Sequence, residues 1–166
     1  MKTIINIFLL TCLLIIIYNC SNSGEIVVTG SEGREYRSYE TACEYADFNA
    51  AYDYVEKMVE VLNDMDKSDR WSYEREIEDT RKYIVKQEIL YLISQGKETD
   101  VDRIIYLYIK QDWDYRSPLD DIYSTAVSFN NFNVLKRLLQ LLEANDDDFD
   151  TRQKIKEILD KNNIDY

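Results

Sequence analysis

The chain has no histidine, four glycines, one proline and three cysteines in 166 residues, and each shortage closes off a class of protein. Without an imidazole, Ser–His–Asp and Cys–His catalysis and histidine-ligated metal sites are excluded. Gly24, Gly30 and Gly33 lie near the N-terminus, which leaves Gly96 for the rest of the chain, so a glycine-rich phosphate loop is not available. With Pro118 as the single proline, the tight turns of a β-sandwich or barrel cannot be supplied in number. Long helices joined by short polar turns remain. The charge is lopsided: 32 Asp and Glu against 20 Lys and Arg give a net charge of −12. Such acidity argues against nucleic acid and anionic lipid as ligands. It favours a basic protein partner, or serves solubility alone.

Residues 1–20 read MKTIINIFLLTCLLIIIYNC. Lys2 is the charged start, and the 15 residues from Ile4 to Tyr18 are apolar except for Asn6 and Thr11. That length fits the core of a secretory signal and falls short of the roughly 20 residues needed to span a bilayer. The run ends at Cys20, and this arrangement resembles a bacterial lipoprotein signal, in which cleavage before a cysteine is coupled to its acylation. Tyr18 and Asn19 stand where the family usually has small residues. The alternatives are an ordinary signal peptide cut elsewhere and a short uncleaved anchor.

The lipoprotein resemblance implies a signal peptide over 1–19, lipid on Cys20, and a location at the outer membrane or elsewhere in the cell envelope. Loss of Lys2 would move the charge from −12 to −13. Two or more acyl chains would give a stable anchor where one is marginal. Residues 20–33 then read as a flexible tether, with EIVV within it as a small edge strand at most. The 13 residues Ser21 to Gly33 reach at most about 45 Å. Residues 34–166 are expected to form one helical domain. Cys43 would be the one cysteine neither removed nor acylated, so no internal disulfide can form. Its helical spacing with Tyr39, Ala42 and Ala46 suits an inert, buried thiol.

The apolar centre of the domain is the stretch Tyr83 to Lys110. Between Tyr83 and Ile93 only Lys86, Gln87 and Glu88 are polar, so a helix there is apolar over most of its circumference and belongs in the interior. Gly96 is placed for a left-handed C-cap, and Val101 opens a second apolar helix. Upstream, a helix pair is expected over Glu35–Ala46 and Phe48–Leu62. In the second of these, Phe48, Ala51, Tyr52, Val55, Met58, Val59 and Leu62 form one stripe. A long helix is expected from Trp71 to Gln95. Beyond a loop at Gln111 to Arg116, Ser117 reads as an N-cap with Pro118 at the first helical position and Asp120 completing a capping box. Val134, Leu135, Leu138, Leu141 and Leu142 mark the next helix, and Ile155, Ile158 and Leu159 the last, with fraying expected at NNIDY. About six or seven helices with short connections make an all-α antiparallel array.

Four short segments repeat a pattern: Asp47-Phe48-Asn49, Asp100-Val101-Asp102, Asn131-Phe132-Asn133 and Asp148-Phe149-Asp150. Each stands at an expected helix start, with a capping Asp or Asn before an apolar residue. Their apolar members are 53, 31 and 17 residues apart, so the repeat is not a strict solenoid. Ala46 to Val61 resembles the second helix of a tetratricopeptide repeat, with Phe48 and Tyr54 as its aromatics, Ala51 as its small residue and Met58 at its later alanine position. Asn130 to Leu142, with Leu119 and Ile122 before it, matches more loosely. Tyr39 stands where the family's first helix has glycine, and neither its closing proline nor its 34-residue period is present. The resemblance implies a tetratricopeptide-like array or an irregular α–α superhelix that binds proteins. As a whole the chain also resembles small lipoproteins of Bacteroidota, which implies location but no activity.

Candidate chemistry is sparse. Asp146, Asp148, Asp150 and Glu157 fall at positions 1, 3, 5 and 12 of an EF-hand calcium loop. Thr151, however, occupies the position that requires glycine, and an acidic turn capping the last helix accounts for the same residues. The many carboxylates would permit a paired-acid glycosidase, yet no two stand out, and Glu74, Glu76, Glu78 and Asp79 read as a solvated face. No enzyme activity and no cofactor are expected. Trp113 and Tyr115, in the acidic loop DWDY, are the candidate partner-binding residues, since loop aromatics beside acids can anchor a protein or stack on a sugar. The competing reading folds Trp113 back onto the domain. The functional expectation is a non-catalytic, membrane-tethered helical lipoprotein that binds a protein at the cell envelope. The alternatives are a carbohydrate-binding accessory lipoprotein and an inhibitor or immunity lipoprotein against a cationic toxin.

Overall fold

In the computed structural model, residues 25–96, 100–113 and 117–166 are described. Cys20 and Tyr115 lie outside them. The described chain is an all-α array of seven helices preceded by a small hairpin. Its elements are β1 (Val28–Thr29), β2 (Glu35–Tyr36), α1 (Tyr39–Glu44), α2 (Phe48–Asp64), α3 (Arg70–Ser94), α4 (Val101–Lys110), α5 (Leu119–Ser128), α6 (Phe132–Ala144) and α7 (Phe149–Lys161). None of the described helices is long and apolar enough to cross a membrane.

The 25-residue helix α3 is the spine. It packs against α1, α2, α4 and α5, and two apolar clusters form along it. Ile77 and Ile84 join Ala51, Val55 and Met58 of α2 in the N-terminal cluster. Val85, Ile89 and Ile93 join Ile104, Ile122, Leu135, Leu138, Leu142, Ile155 and Leu159 in the C-terminal one. The central apolar stretch therefore sits inside on one face, through Ile84, Val85, Ile89, Ile93, Ile104 and Ile105, while Tyr83, Tyr91, Tyr106 and Ile109 stay exposed, so its neighbours cover less of it than its composition implies. Gly96 has φ +71°, as its place after α3 requires.

The four-fold pattern at helix starts is physically real. Asp47, Asp100, Asn131 and Asp148 each accept a hydrogen bond from the backbone N–H three residues on, at Ala50, Arg103, Val134 and Thr151. Each satisfies one of the donors that a helix start leaves open. Helix ends share a design too. After α1, α5, α6 and α7 the chain turns through a left-handed residue, Ala46, Asn130, Asp146 and Asn163, with φ of 56°, 51°, 49° and 54°. The next N–H then reaches back five residues, as in Asp47 N to Ala42 O at 2.9 Å and Asn131 N to Ala126 O at 2.8 Å. This is the Schellman closure. Asn and Asp tolerate the left-handed region better than most residues, which is how a chain so poor in glycine still turns.

Three boundaries differ from those read in the sequence. The presumed tether is folded from Val28 onward: Val28 pairs with Tyr36, both are buried, and β1 packs on α2. Glu35 and Tyr36 accordingly belong to a strand, and the first helix starts only after Ser38, whose Oγ accepts from Thr41 N–H. At α5 the cap position is Pro118, with no side-chain cap bond, because the Ser117 hydroxyl is engaged with Tyr108 Oη at 3.2 Å. The C-terminus is fastened rather than frayed as far as Ile164, whose N–H bonds to Leu159 O at 3.0 Å and whose side chain packs on the C-terminal cluster.

Candidate functional site

Where the two clusters meet, α3 carries a carboxylate inward. Glu88 lies four residues after Ile84 and three after Val85, on the face that α3 buries, and is 3% exposed. A buried charge requires partners, and two helices supply them. From the stripe of α2, Tyr52 Oη donates to Glu88 Oε2 at 2.8 Å. From the first turn of α4, Arg103 Nε donates to Oε1 at 2.9 Å and Nη2 donates to the same oxygen. Arg103 is positioned because Asp100 caps its own backbone N–H.

The electrostatics are mutually consistent. The hydrogen bond and charge of Glu88 raise the Arg103 pKa further. Burial, then the bond to Glu88, pushes the Tyr52 hydroxyl far above its ordinary value. Cys43 is half-buried, and burial together with the charges of Glu40 and Glu88 pushes its thiol to about 12. It is a thiol at neutral pH, without the thiolate that nucleophilic chemistry needs.

Two grooves adjoin this pair, and Glu88 and Arg103 line both. One, of about 630 Å³, lies beside the hairpin and is walled by Tyr36, Tyr45, Phe48 and Tyr91, with Asp47 and Asp100 among its polar groups. Tyr45 is 59% exposed and Tyr91 41%. The Phe48 and Tyr91 ring centroids lie 5.5 Å apart, and the Arg34 guanidinium sits 4.0 Å above Tyr45. The other groove, of about 490 Å³, runs between α2, α3 and α4 over Val55, Val85 and Leu107, and is edged by Arg81, Arg103 and Lys110. Both volumes fall in the range of ligand pockets.

The residues singled out in the sequence behave differently. Trp113 is folded back: its Nε1–H donates to Tyr108 O at 2.7 Å, its ring stacks on Tyr108 with centroids 6.2 Å apart, and it packs against the C-terminal cluster. The reason is that an indole can shed water once its one donor is satisfied. Tyr115 lies outside the described residues. The EF-hand-like acids do not converge: Asp148 caps α7, Asp146 pairs with Arg152 at 3.1 Å, and Glu157 is exposed on the helix. Among the described residues no group of three or more metal-ligating side chains could hold an ion. The Tyr52–Glu88–Arg103 site was missed. Its one sequence signal is Glu88 itself, the single acid inside the apolar run, which had to find partners from elsewhere. Compared with known protein families, curated proteins and solved structures, the chain matches none. By architecture the described chain is an irregular all-α array built on one spine helix.

Proposed function

We propose that the chain is a non-catalytic, lipid-anchored binding module that docks a protein segment at the bacterial cell envelope. The observation that carries this reading is the aromatic groove beside the hairpin. Tyr45 and Tyr91 keep much of their surface in water inside a concavity, although tyrosines of this fold could have been buried as Tyr36 is. Partly exposed aromatics in a concave surface are frequent anchors for a partner. Asp47 and Asp100 on the same rim, in a chain of net charge −12, suit a basic segment. The tetratricopeptide-like stretch supplies Phe48 to this wall, and the lipoprotein-like signal would supply the anchor through Cys20.

Crosslinking in native cells followed by mass spectrometry identifies the partner, and salt-sensitive recapture of that partner then tests the groove. Tyr91→Ala is expected to weaken recapture, with the fold unchanged by circular dichroism. Unchanged recapture would remove the groove from the reading. A second reading, carbohydrate binding, draws on the same exposed aromatic faces beside carboxylates. Glycan titration followed by amide shifts at Tyr45 and Tyr91 decides between them. A recovered partner that is a cationic toxin would place the module among inhibitors.

A further inference from the structure

We infer that the second groove, between α2, α3 and α4, is a carboxylate-binding subsite that receives an acidic side chain of the docked segment. This rests on the protein-docking reading and adds the chemistry of its second contact. The argument starts from charge. In a chain whose acids outnumber its bases 32 to 20, three cations, Arg81, Arg103 and Lys110, edge one groove that holds two carboxylates, Glu56 and Glu88. Glu88 is already consumed, both by Arg103 and by Tyr52.

What the cations have left over points the same way. Arg103 binds Glu88 through Nε and Nη2, and among the described residues its Nη1 has no partner, while half of the side chain (54%) faces solvent. Arg81 approaches Glu56 at 4.0 Å, the outer limit of an ion pair, with both side chains largely exposed. Lys110 has no carboxylate partner among the described residues, and its ammonium lies 5.5 Å from the Tyr106 ring. The floor between them is apolar: Val55 and Val85 are buried and Leu107 half-buried. A carboxylate entering here would exchange water for charge-assisted hydrogen bonds beside low-dielectric walls.

The occupant that fits is an acidic side chain carried between apolar ones, from the partner segment whose basic part faces Asp47 and Asp100. Arg103 lies at the boundary of both grooves, so one extended segment can occupy them in sequence. Charge complementarity thus runs in opposite senses along one trough, which fixes the direction of the segment as well as its position.

The test uses the full chain and three probes: a fluorescein-labelled blocked peptide Leu-Glu-Leu-Glu-Leu, its Gln analogue, and inorganic phosphate as a competitor. Anisotropy should show the Glu peptide binding about tenfold more tightly than the Gln analogue, the difference expected from one charge-assisted bond. Arg81→Gln and Lys110→Gln are the variants, because both side chains are exposed and neither neutralises Glu88. Each should weaken the Glu peptide severalfold and leave the Gln analogue unchanged. Equal binding of the two peptides, or a Glu peptide indifferent to both substitutions, overturns the subsite. Displacement of the peptide by phosphate at equal concentration also overturns it, showing a site for bare anions. If these peptides fail while a crosslinked partner still docks, the subsite falls and the module reading stands. Binding of the Glu peptide with no partner recovered supports the subsite and counts against the module.

Discussion

Tyr52 Oη donates to Glu88 Oε2 at 2.8 Å although 36 residues separate them, and that bond joins the two halves of the molecule. Tyr52 packs against both apolar clusters, so the buried carboxylate fixes how α2 meets α3 where the clusters abut. The Glu88 side chain is 4% exposed and that of Arg103 54%. Removing the cation therefore strands a charge that water barely reaches. Arg103→Gln should cost toward the low end of the roughly 3–5 kcal/mol seen for broken buried pairs, since the guanidinium is half in water. Glu88→Gln can keep its one oxygen as the acceptor for Arg103 and donate its amide N–H to Tyr52 Oη, since a phenol accepts as well as donates, and should cost about 1 kcal/mol. The double variant should be more stable than Arg103→Gln alone. Urea denaturation of the three proteins checks the order, and equal losses for the single variants would mean that Glu88 is better solvated than its burial implies.

Gly30 and Ala46 present opposite backbone demands. A Cβ on Gly30 would lie 2.5 Å from Tyr36 Cε2 and 3.2 Å from Asp47 Cγ, and both groups are held, Tyr36 by burial and Asp47 by its bonds to Ser31 and Ala50. Gly30→Ala should destabilise by about 1–3 kcal/mol through overpacking. Ala46, with φ 56°, sits where a side chain is strained, and Ala46→Gly should stabilise by about 0.5–1 kcal/mol. Thermal melting of both variants should move in opposite directions.

The helix caps differ in how they answer to pH. Burial works against the charge of Asp47, but the hydrogen bonds from Ala50 N–H and from Ser31 outweigh it and hold the carboxyl below its usual value. A folded value below the unfolded one stabilises at neutral pH, and that contribution is lost as pH falls from about 4 downward. Asp47→Ala should cost about 1 kcal/mol at pH 7 and less at pH 3. Asn131 does not titrate. Its Nδ2 donates to Ile93 O at 3.3 Å and Gly96 O at 3.0 Å, and its Oδ1 accepts from Val134 N–H, so the end of α3 and the start of α6 share one buried side chain. Asn131→Ala should cost about 2–3 kcal/mol, with little change in that cost between the two pH values. Denaturant titrations at both pH values separate the two behaviours.

Anchoring is tested at Cys20. Metabolic palmitate labelling should mark the wild-type protein and be lost in Cys20→Ala. Label that persists in the variant would remove the lipoprotein assignment and with it the expected location. The folded hairpin shortens any tether: the chain pairs from Val28 onward, so residues 21–27 rather than 21–33 would separate the lipid from the domain. Seven residues span at most about 25 Å, which would hold the domain closer to the headgroups than a 13-residue tether.

How far the sequence could be read depended on the length scale of each feature. Helices α2, α3 and α6 were legible because their apolar positions recur over several turns, and the caps because an Asx residue acts on a backbone group three residues away. The hairpin was not, since strands of two residues carry no period. The cap at Ser117 was misplaced because a Ser-Pro-x-Asp pattern is silent about Tyr108, nine residues back, which takes the hydroxyl. The candidate site was hidden for the same reason on a longer scale. Glu88 was visible as an anomaly, but its partners Tyr52 and Arg103 follow from tertiary register, which no local pattern encodes.

Trp113 shows where position along the chain misleads. Between Asp112 and Asp114, outside both neighbouring apolar stripes, it reads as a water-facing anchor, yet its indole N–H is bound to Tyr108 O at 2.7 Å and its ring lies on that residue. The flanking acid does not prevent this, because Asp112 stays exposed while the indole alone turns inward. Two consequences can be measured. Trp113→Ala should lower stability by about 1–3 kcal/mol, less than a fully buried aromatic would cost. Trp113→Phe, which keeps most of the ring contact and loses the donor, should lower it by about 1 kcal/mol. Partner capture by the folded fraction of either variant should remain within severalfold of wild type, whereas Tyr91→Ala should reduce it. If instead capture is lost in Trp113→Ala at unchanged stability, the indole must leave Tyr108 to meet the partner, and the loop becomes the docking site in place of the trough.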